Sequence, residues 1–258
     1  MAKLPSVLLT LLERDEALAR QLGNEISRLG ADCQGHFWND RPDAQVLSQL
    51  FKELCKPDLG AWVVAGGAAS FTKETLSAMS LAMLAARHSR AQLGLSDLPL
   101  LISPSGSEAP SLPTPLEGAQ IVVRGLGAKT VAALHTARAL PELPYRLNVM
   151  ALHGLGLWVE VGPSGEPWEG ALLGTRGCSP DTHGVGQAGI IPQRCTLRYP
   201  VSGMKLNAES GEFTAWGTGN KLTVAESYFA RLDGLPEALI FGPFPGEDDP
   251  ELYVLDLC

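Results

Sequence analysis

Long hydrophobic runs are missing from this chain. No stretch approaches the ~18 uncharged apolar residues of a membrane span, so no transmembrane helix and no membrane partner are expected. A secretory leader is also not expected, because Met1-Ala2-Lys3-Leu4-Pro5-Ser6 runs straight into a strand-like segment and acids appear by Glu13. The reading is a cytoplasmic protein. Paired cysteines are lacking too. Cys33, Cys55, Cys178, Cys195 and Cys258 are odd in number and contain no C-x-x-C, which argues against a disulfide framework or a thiolate metal site. Reduced, mostly buried thiols and no resident metal are the expectation. Basic charge is scarce: the formal charge is −8. Residues 1–143 carry 13 basic and 14 acidic side chains, whereas residues 144–258 carry 7 and 14. An acidic second half argues against nucleic-acid binding, which needs a basic face. Its most acidic segment, with Glu247, Asp248, Asp249, Glu251 and Asp256, reads as a solvated turn and edge strand. A Walker A loop and a G-x-G-x-x-G after a first strand are absent as well, and the sequence names no cofactor.

The content that remains, 45% apolar and 19% charged, is that of a chain that buries real cores. Through residue 143, strand and helix signals alternate. Strand-like runs occupy residues 6–12, 31–38, 60–65, 98–103 and 119–124. Helical stripes occupy 15–29, 46–54, 70–92 and 127–140, with Asn39-Asp40-Arg41-Pro42 as the turn into the second. Residues 104–118 are Pro/Ser-rich and stand where a crossover helix would be, as a long loop. Units of this kind predict a doubly wound parallel five-stranded sheet in the flavodoxin-like order 2-1-3-4-5.

From residue 144 the helical period vanishes. Short β-type runs appear at 146–152, 155–161, 168–173, 194–199, 212–216, 221–225, 238–241 and 251–257. Gly162-Pro163-Ser164-Gly165 and Gly217-Thr218-Gly219-Asn220 stand as hairpin turns between them. These predict a mostly antiparallel β domain over 144–258, with glycine-rich residues 175–192 as an exposed loop.

In a 2-1-3-4-5 sheet the crevice lies at the carboxyl ends of strands one and three. Glu13, Arg14 and Asp15 fall there beside Gly66, Gly67, Ser70 and Thr72, a set suited to a small polar ligand. The small-residue turn Val64-Ala65-Gly66-Gly67 leaves free N–H groups that favour an anion or a ligand carbonyl. Capping is the structural alternative: Asp15 for the first helix and Ser70 for the third, with the glycines allowing close packing.

The run Leu11-Leu12-Glu13-Arg14-Asp15-Glu16-Ala17-Leu18-Ala19 resembles the acidic turn of two-component receiver domains. Receivers carry a phospho-accepting Asp at the end of strand three, where this chain has Val64-Ala65-Gly66-Gly67. The resemblance therefore implies a pseudo-receiver that takes no phosphoryl group. The small-residue turn followed by Ser70 and Glu74 on helix three also resembles the layout of a TIR domain, at a shorter spacing than the usual motif. That resemblance implies NAD glycohydrolysis with Glu74 as the catalytic acid; a solvated first-turn acid is the bland reading of Glu74.

In the β half, Cys178, Asp181 and His183 share one segment and His153 lies within reach if strands pair. A thiol nucleophile with its base, or a hydrolase-type metal site, would use such residues. Trp158, Trp168 and Trp216 could line a groove or pack the core. The leading expectation is a non-catalytic regulatory protein that binds a protein partner or a small polar ligand. A TIR-like NAD-processing enzyme and a β-domain hydrolase or metal enzyme are the alternatives.

Overall fold

The computed structural model describes residues 4–39, 42–105, 110–244 and 252–258. The chain divides into two compact units, Met1–Leu140 and Pro141–Cys258.

In the first unit, β1 (Ser6–Leu11), β2 (Asp32–Phe37), β3 (Leu59–Gly67), β4 (Leu100–Ser105) and β5 (Gln120–Ile121) form one sheet. Its order is β2-β1-β3-β4-β5 and every pairing is parallel. This is the doubly wound arrangement that the alternating periods predict. Helices α1 (Glu16–Arg28) and α4 (Leu126–Leu134) pack together, as do α2 (Ala44–Leu54) and α3 (Lys73–Gln92). The core beneath α1 and α4 is aliphatic, built from Val7, Leu9 and Leu11 of β1, Ala61 and Val63 of β3, and Leu22 and Ile26 of α1. Strand β3 is buried along nearly its whole length, as the central strand of a sheet covered on both faces must be. Its Trp62 is fully buried and donates its indole N–H to Thr10 Oγ1 at 2.8 Å.

Several boundaries differ from the sequence reading. Helix α3 starts at Lys73, not at residue 70, because a 3-10 turn over Ala68–Ser70 precedes it and Thr72 is its cap. Helix α2 starts at Ala44 under an Asp43 cap; Asp40 and Arg41 lie outside the described residues. Strand β5 shrinks to two residues and α4 ends at Leu134, before the prolines. The described part of the 104–118 loop holds a 3-10 turn, Thr114–Leu116. Arg87 of α3 anchors it by donating to the Pro115 carbonyl at 2.9 Å.

The second unit is all antiparallel β. One sheet runs β6 (Tyr145–Leu152), β7 (Gly156–Pro163), β12 (Glu226–Leu232), β9 (Pro180–Gln187). The other runs β10 (Val201–Ala208), β11 (Gly211–Leu222), β8 (Trp168–Arg176), β13 (Ala238–Gly242), β14 (Tyr253–Asp256). Aromatic contacts join the two sheets: Tyr145 meets Phe241 edge-on at 4.8 Å, and His183 meets Trp216 at 4.9 Å.

Three expectations for this unit are corrected. Residues 175–192 are not one exposed loop, because β9 lies inside them and pairs with β12. Its glycines hid it: Gly184 has no side chain of its own, and Pro192 and Cys195 from the following loop fill that space. Gly217-Thr218-Gly219-Asn220 is no hairpin turn but the interior of β11, where Gly217 admits the Phe244 ring to within 2.7 Å of a would-be Cβ. Residues 194–199 form no strand, whereas β10 and β12 escaped the sequence reading. Of the acidic segment, Asp256 pairs with Arg176 at 3.3 Å; Glu247, Asp248, Asp249 and Glu251 lie outside the described residues.

Candidate functional site

The switch point of the parallel sheet sits where β1 ends between β2 and β3. Pairing with β3 continues one residue past β1, as Leu12 N–H donates to Ala65 O at 2.8 Å. The chain then turns sharply. Asp15 Oδ1 accepts from the N–H groups of Ala17 and Leu18 at 2.9 Å each, so Asp15 is spent as the cap of α1. That leaves Glu13 and Arg14 on the short turn between a paired strand and a capped helix.

The two glycines at the end of β3 exist for what approaches them. A Cβ at Gly66 would lie 2.7 Å from Leu12 Cβ, and one at Gly67 would lie 2.7 Å from Glu13 Oε1. Glu13 reaches across the crevice to the β3 side. Its Oε1 accepts from Gly67 N–H at 3.0 Å and from Ser70 Oγ–H at 2.5 Å. The anion expected at this turn is therefore the protein's own carboxylate. Ser70 does not cap α3; its hydroxyl holds Glu13. Both bonds fall on Oε1, and Oε2 has no hydrogen bond among the described residues.

Arg14 turns the other way, toward β2. Its guanidinium carbon stands 5.9 Å from the Phe37 ring centroid, and it forms no ion pair among the described residues. Trp38 extends the β1–β2 pairing by donating its backbone N–H to Leu11 O at 2.7 Å. Its indole Nε1 is buried with no hydrogen-bond partner among the described residues. Between these walls lies a cleft of about 670 Å³, lined by Leu12, Glu13, Arg14, Phe37, Trp38, Ala69, Ser70, Thr72 and Thr75. Phe37 and Trp38 also border a second cleft of about 600 Å³ along β2 and α2. The structure thus brings Glu13, Arg14, Ser70 and Thr72 to one cavity; Gly66 and Gly67, at the end of β3, do not line it, and Gly67 acts through the hydrogen bond that it donates to Glu13. Phe37 and Trp38 were not foreseen there. Their signal was available, since in this strand order the end of β2 borders the same crevice as β1.

Thr72 Oγ1 accepts from Thr75 N–H at 3.2 Å and caps α3. Glu74 is exposed on the first turn and does not line the cleft. Its own backbone N–H, then the Thr72 side chain, hold its carboxyl below the usual range. An acid fixed as carboxylate at a helix N-terminus is a dipole partner.

In the β unit the structure gives Cys178, Asp181 and His183 separate partners. Burial pushes the Cys178 thiol up to about 12, which keeps it protonated at neutral pH. Asp181 accepts from Arg231 Nε at 2.7 Å. His183 Nδ1 lies 2.6 Å from the buried Tyr228 hydroxyl, and burial lowers its pKa. His153 is exposed in the turn after β6. Trp158 and Trp168 are buried, while Trp216 packs its ring against His183. Among the described residues, no group of three or more His, Cys, Asp or Glu side chains is placed to hold a metal ion.

Sequence reasoning also passed over a buried charge. Glu160 of β7 is completely buried; it accepts from Ser227 Oγ–H and Gly189 N–H at 2.7 Å and from Asn148 Nδ2–H at 3.0 Å. Arg146 stands 3.7 Å away and gives its remaining N–H groups to the carbonyls of Pro163, Val224 and Glu226 and to Ser227. The group ties β6, β7, β12 and the loop after β9 together, and Arg146 Nε, 3.7 Å from the carboxylate, makes no hydrogen bond among the described residues. An acid between Val159 and Val161 in an apolar strand was the available signal.

No protein-family model matches this chain, and a search of curated proteins finds no match to it.

Proposed function

We propose that this is a non-catalytic regulatory protein whose α/β unit binds a small polar ligand in the cleft at the ends of β1 and β3. The observation that carries the reading is the use to which Glu13 is put. Its carboxylate is seated on Gly67 N–H and Ser70 Oγ–H, which fixes Oε1 as an acceptor at the edge of the cleft. Among the described residues the lining holds no histidine or thiol, and it carries one acidic and one basic side chain, Glu13 and Arg14. Small-molecule sites are concave and of this size, with a few polar groups that fix the orientation of the ligand. The likeness to a receiver without its phospho-acceptor supports the same reading, as a signalling-type domain that recognises rather than reacts.

The test is a thermal-shift screen of metabolites against the full chain and against Glu13→Gln. Ligands that stabilise the parent and not the variant are the expected result. Release of nicotinamide from NAD, abolished by Glu74→Gln, would overturn the proposal in favour of an enzyme.

A further inference from the structure

The opposed charges of the cleft carry the reading of this site one step further. Doubly wound folds place ligand anions on the turn after a strand, where N–H groups point outward. Here that seat is taken by the Glu13 carboxylate, so a phosphate arriving at the β3 wall would meet a negative charge instead of free donors. What the β3 wall offers is an acceptor, Glu13 Oε2, with no hydrogen bond among the described residues. What the β2 wall offers is a donor set. Arg14 has no carboxylate partner among the described residues, and its guanidinium lies over the face of Phe37. Trp38, which borders the cleft, carries a buried indole N–H with no acceptor among the described residues. Leu12 and the rings of Phe37 and Trp38 supply apolar surface beside the donors. A ligand that satisfies both walls has a cationic donor at one end, a planar anion at the other, and an apolar portion.

We infer that the cleft binds a free α-amino acid as its zwitterion, with an apolar or aromatic side chain. The ammonium meets Glu13 Oε2 and the carboxylate meets Arg14. This rests on the binding reading above and names its ligand class. A guanidinium suits a carboxylate because two parallel N–H groups match two oxygens. Glu13 is pre-positioned by Gly67 and Ser70, so little ordering is lost when the ammonium arrives.

Isothermal titration of the full chain with each of the twenty common L-α-amino acids tests the inference. The best binder is then compared with its N-acetyl and carboxamide forms. The expected result is binding by apolar or aromatic members, weakened about tenfold or more by either blocking group, since each removes one charge-assisted contact. Glu13→Gln should weaken the parent amino acid by a similar factor while leaving the N-acetyl form unaffected, and Arg14→Met should do the same for the carboxamide. Binding that survives both blocking groups would overturn the zwitterion. If no amino acid binds but a nucleoside, sugar or simple acid from the metabolite screen does, in a manner lost in Glu13→Gln, the ligand class is wrong and the site stands. If nothing in either set binds, both readings fall.

Discussion

Two adjacent glycines at the end of β3 should respond to the same substitution in opposite ways. A methyl group added at Gly66 would sit 2.7 Å from Leu12 Cβ and 3.2 Å from its Cγ and Cδ1. Leu12 is buried, and its backbone is pinned to Ala65 O, so the strand end itself must give way. Overpacking of this kind costs about 1–3 kcal/mol. The methyl group at Gly67 would also meet an atom at 2.7 Å, but that atom is Glu13 Oε1, the tip of an exposed side chain. The carboxylate can swing into water, and exposed charge contacts are worth only about 0–1 kcal/mol. Alanine also gains about 0.4–1 kcal/mol over glycine by restricting the unfolded chain, at either position. Gly67 has an ordinary extended conformation, φ −64° and ψ 156°, so no backbone strain is added. Gly66→Ala should therefore destabilise the α/β unit by about 1–2 kcal/mol, whereas Gly67→Ala should be near neutral and release Glu13 from its seat. Urea-dependent hydrogen exchange of peptides from β1 and β3 reads this unit separately from the β unit. Equal costs for the two variants, or a greater cost at Gly67, would refute the argument that Leu12 and Glu13 set these positions.

The other predictions concern ionisable groups removed from water. Glu160→Gln, and separately Arg146→Met, should each lower the stability of the β unit by about 3 kcal/mol, because each leaves a buried charge without its partner. The double variant should lose clearly less than the sum of the two in chemical denaturation, and additive losses would mean the pair is not coupled. Stability should also fall on mild acidification. Burial lowers the pKa of His183, and that of His36 in the first unit, below the ordinary value of 6.5. The unfolded chain then takes up protons below about pH 6.5 that the folded chain refuses, so stability is full above that value and declines as pH falls toward the folded pKa. Melting temperature measured from pH 7.5 to 5 should show this slope, reduced in His183→Gln; an unchanged slope in that variant would remove His183 as a source.

The parallel sheet was legible because its signals are local. β1 and β3 are short apolar runs, α1 and α2 carry one-sided stripes, and Asp15 announces the cap of α1 directly ahead of its first residue. The strand order followed from the handedness of the crossovers. In the β unit the same reasoning was weaker for a physical reason. β9 takes its apolar cover from Pro192 and Cys195, and β10 is an edge strand whose partner lies downstream, so neither carries its own pattern. Gly217 resembled a turn residue, although its role is to admit Phe244.

The candidate site divides along the same line. That Glu13, Arg14, Gly66, Gly67, Ser70 and Thr72 gather at one end of the sheet follows from residue order and sheet topology, and the sequence by itself determined it. Which of them remain open to a ligand was decided only by tertiary structure. Asp15 and Thr72 cap helices, Ser70 and Gly67 hold Glu13, and Arg14 lies over Phe37. Those assignments depend on side chains from strands far apart in the chain competing for the same donors and acceptors, and a competition of that kind is settled by distance in space.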